Sequence, residues 1–422
     1  MSKVKPPVEV AVAVLHYQAR YLLAYRHKAQ HQGERFEFVG GKIETDETAQ
    51  AALVREVQEE IGLALSREQL TKLGRITHNY GDKQVRLHIY DVAMTARQYE
   101  SFATVSKGCE GQPLRWVDKS ALLAGEFPLP AANLPILTWL TLPTEIIITH
   151  ELGCFSQENH PQESHPIDAW TEYHAEHLPH GSTVYIRPKV DSKLVEAVGN
   201  IEQRAGQGQQ PEQQANLVTL TAVMALITAR ADIKVILPEL LVSKPEDDLT
   251  YSEQRDTPDN TAIKRLLAEL NQVIAAQRVL AQHCSHKTLI EYVDTLAQAK
   301  KSASSPDNSL VESLLGDKLP LLVSCHDLVS IAAANTLANH RIQHGQPVVL
   351  GAFLSPVCTT LTHPDSTPLG WSKFSQLSER MDLPVIALGG LTPADREQAR
   401  GYGGICVAGI RAFLQEHATY IS

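Results

Sequence analysis

Glu56, Glu59 and Glu60 follow Arg55 and precede Gly62 in a chain of 422 residues. Read as helix, positions three and four apart share a face, so three carboxylates stand within a single turn. Like charges so placed oppose one another by roughly 0.2–0.5 kcal/mol per pair, and a compensating cation is expected. A hard divalent ion, Mg²⁺ or alternatively Mn²⁺, takes oxygen ligands and commonly shares them with substrate phosphates. Ala51, Ala52, Leu53, Val57 and Ile61 supply an apolar set to hold such a helix down, and Gly62 is a stop signal. Arg55 can pair with Glu47 or with the acidic face. An Arg-Glu-x-x-Glu-Glu run alone is more often a solvated helix surface, so the flanks decide.

The flanks complete a longer pattern, Gly-x5-Glu-x7-Arg-Glu-U-x-Glu-Glu-x-Gly-U with U aliphatic. Gly41, Glu47, Arg55, Glu56, Val57, Glu59, Glu60, Gly62 and Leu63 meet every fixed position. This segment resembles the Nudix hydrolases, which cleave a nucleoside diphosphate linked to another moiety. Three further blocks resemble the MutT branch, the 8-oxo-dGTP diphosphatases: Phe36 to Glu44, Glu110 to Pro113 before Trp116, and Phe127 to Ile136. The resemblance implies that the Gly41 carbonyl with Glu56, Glu59, Glu60 and Glu110 holds the metal, and that Glu47 and Arg55 orient the helix. It implies that Glu56, with Glu110 as competitor, activates the attacking water. Arg26 would approach the phosphates, Phe38 would lie in the nucleobase pocket, and the Asn133 amide would read the purine edge. An amide carries both donor and acceptor and suits that task, although Asn133 between prolines is also an ordinary turn residue. Tyr80 and Lys83 match the same cleft only loosely.

The elements that must position these groups are legible in outline. Alternating apolar residues at 8–14 and a second run at 21–25, parted by a polar turn, read as a β-hairpin. A helix is expected from about Glu47 to Ile61, strands at 84–94 and 114–117, and a short helix from Pro135 to Leu140. This first unit, residues 1–142, is expected to be an α+β Nudix fold, a mixed sheet with helices on both sides. From 143 to 422 the rhythm becomes short apolar runs separated by helical or polar segments: Ile146–Ile148, Val184–Ile186, Ile233–Leu237, Leu289–Val293, Leu321–Ser324, Val348–Phe353, Pro384–Leu388 and Gly404–Ala408. Eight such runs predict an α/β TIM barrel, interrupted by polar insertions at 206–214, 244–260 and 300–308.

Pro384 to Pro393 followed by Gly403 to Ile410, with Ser324-Cys325-His326-Asp327, Val349-Leu350-Gly351, Thr362-His363-Pro364 and Pro368-Leu369-Gly370-Trp371, resembles thiamine-phosphate synthase and the related thiazole tautomerase-like proteins. The resemblance implies a phosphate site built from Arg187, Lys189, Gly389, Gly390, Ala408 and Gly409, and a thiamine-related phosphate ligand. Glycines after barrel strands let backbone N–H groups close on phosphate. Two signatures depart. Where the synthases carry Asn-Asp after the third strand this chain reads Val235-Ile236-Leu237-Pro238, and their Gly-Val-His-Leu is missing. Without that acid a diphosphate leaving group would be poorly neutralised, which favours a phosphate-binding or structural barrel over a working synthase. His174, His177 and His180 are spaced like ligands, but Pro179 breaks the helix that would align them. A lone His326 after a strand is more often structural than an acid or base.

Composition narrows the partners. With 43% hydrophobic and 20% charged residues the chain is globular in type, and a net charge of −10 excludes a broad nucleic-acid surface. No apolar stretch reaches the ~18–20 residues of a membrane span. Six cysteines without a CxxC pair and an N-terminus without a signal-peptide core predict a reducing, cytoplasmic setting. The expected reaction is Mg²⁺-dependent hydrolysis of an oxidised purine nucleoside triphosphate to monophosphate and pyrophosphate in the nucleotide pool. The alternatives are a bifunctional enzyme that also makes thiamine phosphate, and a barrel that binds a phosphate ligand without catalysis.

Overall fold

The computed structural model describes residues 6–29, 31–155, 165–190, 194, 211–239, 258–301, 318–360 and 367–415. The polar stretches expected as insertions lie largely outside these residues, as does Thr362-His363-Pro364.

Strict alternation in β1 (Val8–Tyr17) makes a two-faced strand. Ala11, Ala13 and Leu15 pack on one side, Val12 and Val14 on the other, all buried. β2 (Arg20–Tyr25) returns antiparallel to β1 and pairs with β3 (Phe36–Glu37), and β4 (Val39–Lys42) pairs antiparallel with β1. Helix α1 (Ala49–Ile61) covers the first face through Ala52, Leu53, Val57 and Ile61. β5 (Leu70–Asn79), a strand the sequence reading did not mark, pairs antiparallel with β6 (Gln84–Ala93), which runs parallel to β1. Short α2 (Ala96–Phe102) leads to β7 (Leu114–Asp118) beside β2. α3 (Lys119–Leu123) and α4 (Leu134–Trp139) follow, and their Leu122, Ile136 and Trp139 join the core behind the second face. The result is the expected mixed sheet, of seven strands, between helices.

The second unit is a closed barrel of eight parallel strands, each paired with the next along the chain and the last with the first. Its strands are β8 (Glu145–Ile148), β9 (Thr183–Tyr185), β10 (Lys234–Leu237), β11 (Val279–Cys284), β12 (Leu321–Cys325), β13 (Val349–Leu354), β14 (Val385–Leu388) and β15 (Cys406–Gly409). The outer helices are α5 (Pro166–His177), α6 (Pro211–Ala229), α7 (Pro258–Ala275), α8 (His286–Lys301), α9 (Leu328–Gln343), α10 (Gly370–Ser378) and α11 (Arg396–Gly401). One expected strand is corrected: 289–293 lies inside α8, and the fourth barrel strand is β11. Buried Leu289, Tyr292 and Leu296 recur at helical spacing, whereas Gln282 and His283 inside β11 disguise a strand whose polar side chains are buried or half-buried.

The first unit docks on the end of the barrel where its strands begin. The buried Trp139 donates from Nε1 to the carbonyl of Val349, the first residue of β13, at 3.0 Å. Around it Arg75 pairs with Asp382, Lys72 Nζ donates to the Glu379 carbonyl at 2.6 Å, and Arg400 meets Asp91 at 2.6 Å. One continuous apolar cluster runs through the junction. Trp139→Phe keeps most of the packing but strands a buried carbonyl. Chemical denaturation is expected to register a loss of about 1–3 kcal/mol.

Candidate active site and barrel cavity

Helix α1 is held at both ends. The Thr48 side chain accepts the Ala51 N–H at 3.2 Å, and Gly62, at φ 73°, returns its N–H to the Gln58 carbonyl. Arg55 organises the outer face. Its Nη2 meets Glu47 at 2.6 Å and the Lys42 carbonyl at 3.1 Å, while Nη1 reaches both Glu56 and Glu59 at 3.0 Å. The guanidinium is held more firmly protonated than usual, first by Glu47, whose own carboxyl is lowered by the same bond. Both pairings open to Arg55 in the sequence are therefore made.

The inner face meets β4. Gly40 donates its N–H to Glu60 Oε2 at 3.3 Å, and a Cβ added to Gly41 would fall on the Glu56 carboxylate. Only a glycine lets this strand and that carboxylate approach so closely. The loop carrying Glu110 is tied to the end of α1, because Cys109 N–H and Gln112 Nε2 both donate to the Glu60 carbonyl, at 2.7 and 3.0 Å. Burial, and then the charges of Glu37, Glu56 and Glu110, push the Glu60 carboxyl up to about 8. Glu37 and Gln112 are the residues the sequence reading missed. Both lie inside the blocks that resemble the MutT branch, but as a polar side chain between apolar neighbours and one in a turn neither pointed to a role.

These side chains fit a hard cation in kind: every donor is oxygen, and the charge around Glu60 is only partly compensated, by Arg55 on Glu56 and Arg26 on Glu37. Among the described residues no group of three or more His, Cys, Asp or Glu is gathered closely enough to hold a metal unaided. A cleft of about 640 Å³ opens beside Gly41, Lys42, Glu44 and Glu56.

The expected substrate residues take different positions. Arg26 is engaged by Glu37 and donates to the His31 carbonyl at 2.8 Å. Phe38 is buried in the core with Tyr21, Leu23 and Phe127. Asn133 is also buried, at the N-terminus of α4, and its side chain makes no capping bond there. The Ala132 N–H donates to the Tyr80 hydroxyl at 3.3 Å, which ties the end of β5 to the turn bearing Asn133.

Comparison with known proteins places the two units. The NUDIX domain model matches residues 10–139. An 8-oxo-dGTP diphosphatase of Escherichia coli is 30% identical over 134 residues, 32% of this chain and 95% of that protein. The N-terminal part of the chain belongs to the Nudix family. A CTP pyrophosphohydrolase of the same organism is 32% identical over 136 residues, 31% of this chain and 88% of that protein. The thiamine monophosphate synthase model matches residues 305–413. A putative thiamine-phosphate synthase 2 of Aquifex aeolicus is 37% identical over 62 residues, 15% of this chain and a third, 33%, of that protein.

Where the barrel strands end, a cavity of about 980 Å³ is walled by Arg187, Gly389, Gly390 and Gly409 together with Lys373 and Arg411. Lys189 and Ala408 are not in this wall; Ala408 is buried within β15. Gly389 and Gly390 have positive φ, and side chains there would strike the backbone at Pro356 and Thr359, so close loop packing alone demands them. His283 Nε2 lies 2.8 Å from Ser324 Oγ, and burial and then Arg187 push that imidazole down to about 3. His326 Nδ1 donates to the Ser355 carbonyl at 2.9 Å, which leaves Nε2 as an acceptor.

No Asn-Asp pair follows the third barrel strand. β10 ends at Leu237, so the residues past it are Pro238 and Glu239, and Glu239 Oε2 accepts the Ser285 N–H at 3.1 Å. The histidine trio is not assembled. His174 is buried and accepts the His150 N–H, His177 stacks on Tyr173, and His180 projects into solvent.

The Glu60 shift has a consequence for stability. A carboxyl raised in the folded state stabilises fully below its unfolded value and loses that contribution as pH rises through the folded one. Metal-free protein is therefore expected to lose stability between pH 4.5 and about 8. Glu60→Gln should flatten that slope in thermal denaturation across the range.

Proposed function

We propose that residues 1–142 form a hydrolase domain that cleaves nucleoside triphosphates, oxidised purine ones such as 8-oxo-dGTP, to monophosphate and pyrophosphate. The setting is the cytoplasmic nucleotide pool. The observation that carries this reading is the convergence of Gly41, Glu56, Glu60 and the Glu110 loop into one carboxylate cluster. Mg²⁺, or Mn²⁺ in its place, bound by Glu56, Glu59, Glu60, Glu110 and the Gly41 carbonyl, would neutralise the triphosphate and polarise water.

The chain's own groups do the rest. Glu56, with Glu110 as the competing candidate, accepts the proton of the attacking water, and Arg55 holds Glu56 and Glu59 in place while Glu47 anchors Arg55. Arg26 faces the phosphates once Glu37 shares it. The Asn133 amide, free of capping duty, reads the base edge, and Phe38 shapes the floor of that pocket.

The E. coli diphosphatase supports a purine substrate, and the comparably similar CTP pyrophosphohydrolase favours a pyrimidine as the second reading. A panel of 8-oxo-dGTP, dGTP, CTP, ADP-ribose and thiamine pyrophosphate separates these. Wide preference for CTP would replace the purine assignment, and wide preference for ADP-ribose would remove the MutT one.

For residues 143–422 we favour a phosphate-ligand-binding barrel, supported by the cations and glycines in one cavity wall. Glu239 keeps thiamine-phosphate synthesis as the alternative for this half. No described helix is long and apolar enough to cross a membrane. Glu56→Gln is expected to lower kcat for the preferred triphosphate by at least ~10³-fold with an unchanged melting curve; near-wild-type turnover would sink the assignment.

A further inference from the structure

Arg187 and Lys189, the pair that resembles the phosphate-contacting segment, are already engaged. Arg187 Nη2 and Lys189 Nζ donate to the same oxygen, Glu151 Oε1, at 3.0 and 2.8 Å. The backbone holds this triad together. Arg187 N–H donates to Thr149 Oγ1 at 2.8 Å, Thr149 N–H to the Tyr185 carbonyl at 3.1 Å, and Leu152 N–H to the Pro188 carbonyl at 2.6 Å. The loops after β8 and β9 are thus laced on both sides of Glu151, and its carboxylate is no casual surface partner. Two cations and one carboxylate leave a single net positive charge. Arg187 keeps further donors, its Nε–H is buried without a partner, and the residue lines the cavity. A buried unmet donor costs about 1–3 kcal/mol, which an incoming acceptor would relieve.

We propose that Glu151 is a built-in counter-anion that restricts the barrel to ligands carrying a single phosphate and excludes diphosphates. The proposal rests on the phosphate-binding reading of the barrel. A monophosphate can take the rim formed by Gly389, Gly390 and Gly409, with Lys373 and Arg411 in the same wall, while Glu151 keeps its place on Arg187. A diphosphate on that rim extends its second phosphate toward Arg187, the residue of this wall that holds Glu151. There it would approach the Glu151 carboxylate behind Arg187, and like charges in a partly desolvated setting repel far more than in water. Binding would then require breaking two charge-assisted hydrogen bonds.

Calorimetry on the full chain in EDTA, titrated with inorganic phosphate and inorganic pyrophosphate, tests this. Without a divalent ion the carboxylates of the hydrolase site repel both anions, so the heat reports on the barrel. Wild-type protein is expected to bind phosphate at least tenfold more tightly than pyrophosphate. Glu151→Gln should raise pyrophosphate affinity at least tenfold and phosphate affinity less than threefold, whereas Glu151→Asp, which keeps the charge, should retain the exclusion. Equal pyrophosphate affinity in wild type and Glu151→Gln would overturn the proposal and leave the phosphate site standing. If neither anion bound any of the three proteins, the phosphate-binding reading would fall, and the proposal with it.

Discussion

The N-terminal unit is built around electrostatic crowding: carboxylates from α1, from β3 and from the Glu110 loop converge around the half-buried Glu60. Such convergence is unfavourable, and burial together with these neighbouring charges raises the Glu60 carboxyl. Much of the surrounding structure serves to hold that arrangement. Thr48 and Gly62 bound the helix, Arg55 restrains its outer carboxylates, and the side-chain-free Gly41 admits Glu56 against the strand. The apolar stripe of α1 on β1 anchors the whole against repulsion.

This acidic device reconciles a chain of net charge −10 with polyanionic substrates. A basic surface would attract phosphates directly and with little selectivity. On the function proposed above, carboxylates that need a cation before they accept a triphosphate would make binding conditional on that ion. The barrel takes the opposite route: cations face its cavity, and one carboxylate, Glu151, offsets part of their charge. Each unit thus pairs an excess of one charge sign with a local restraint of the other.

The junction sets the geometry between them. The hydrolase unit is seated through Trp139, Arg75 and Lys72 on the barrel end where strands begin, and the cavity opens where strands end. The two sites therefore lie on different sides of the interface, and any influence of one on the other must pass through packed barrel strands and helices. The single apolar cluster spanning the junction makes the two units a rigid pair rather than domains on a loose tether.

The sequence alone determined what depends on local spacing. The period-two strand β1, the helical carboxylate face and the glycine that stops it are short-range consequences of side-chain geometry, and the family pattern lies on them. Seven of the eight barrel strands were visible as apolar runs because parallel barrel strands are buried on both faces. What the sequence concealed depends on partners distant along the chain. β11 was hidden because Gln282 and His283 turn polar atoms into the protein, where Glu239 and Ser324 receive them. Glu37 beside Arg26, Gln112 beneath Glu60 and Glu151 between Arg187 and Lys189 carry no local periodicity. Only tertiary structure decided those contacts, because a charge acquires its partner and its desolvation when remote segments are packed around it.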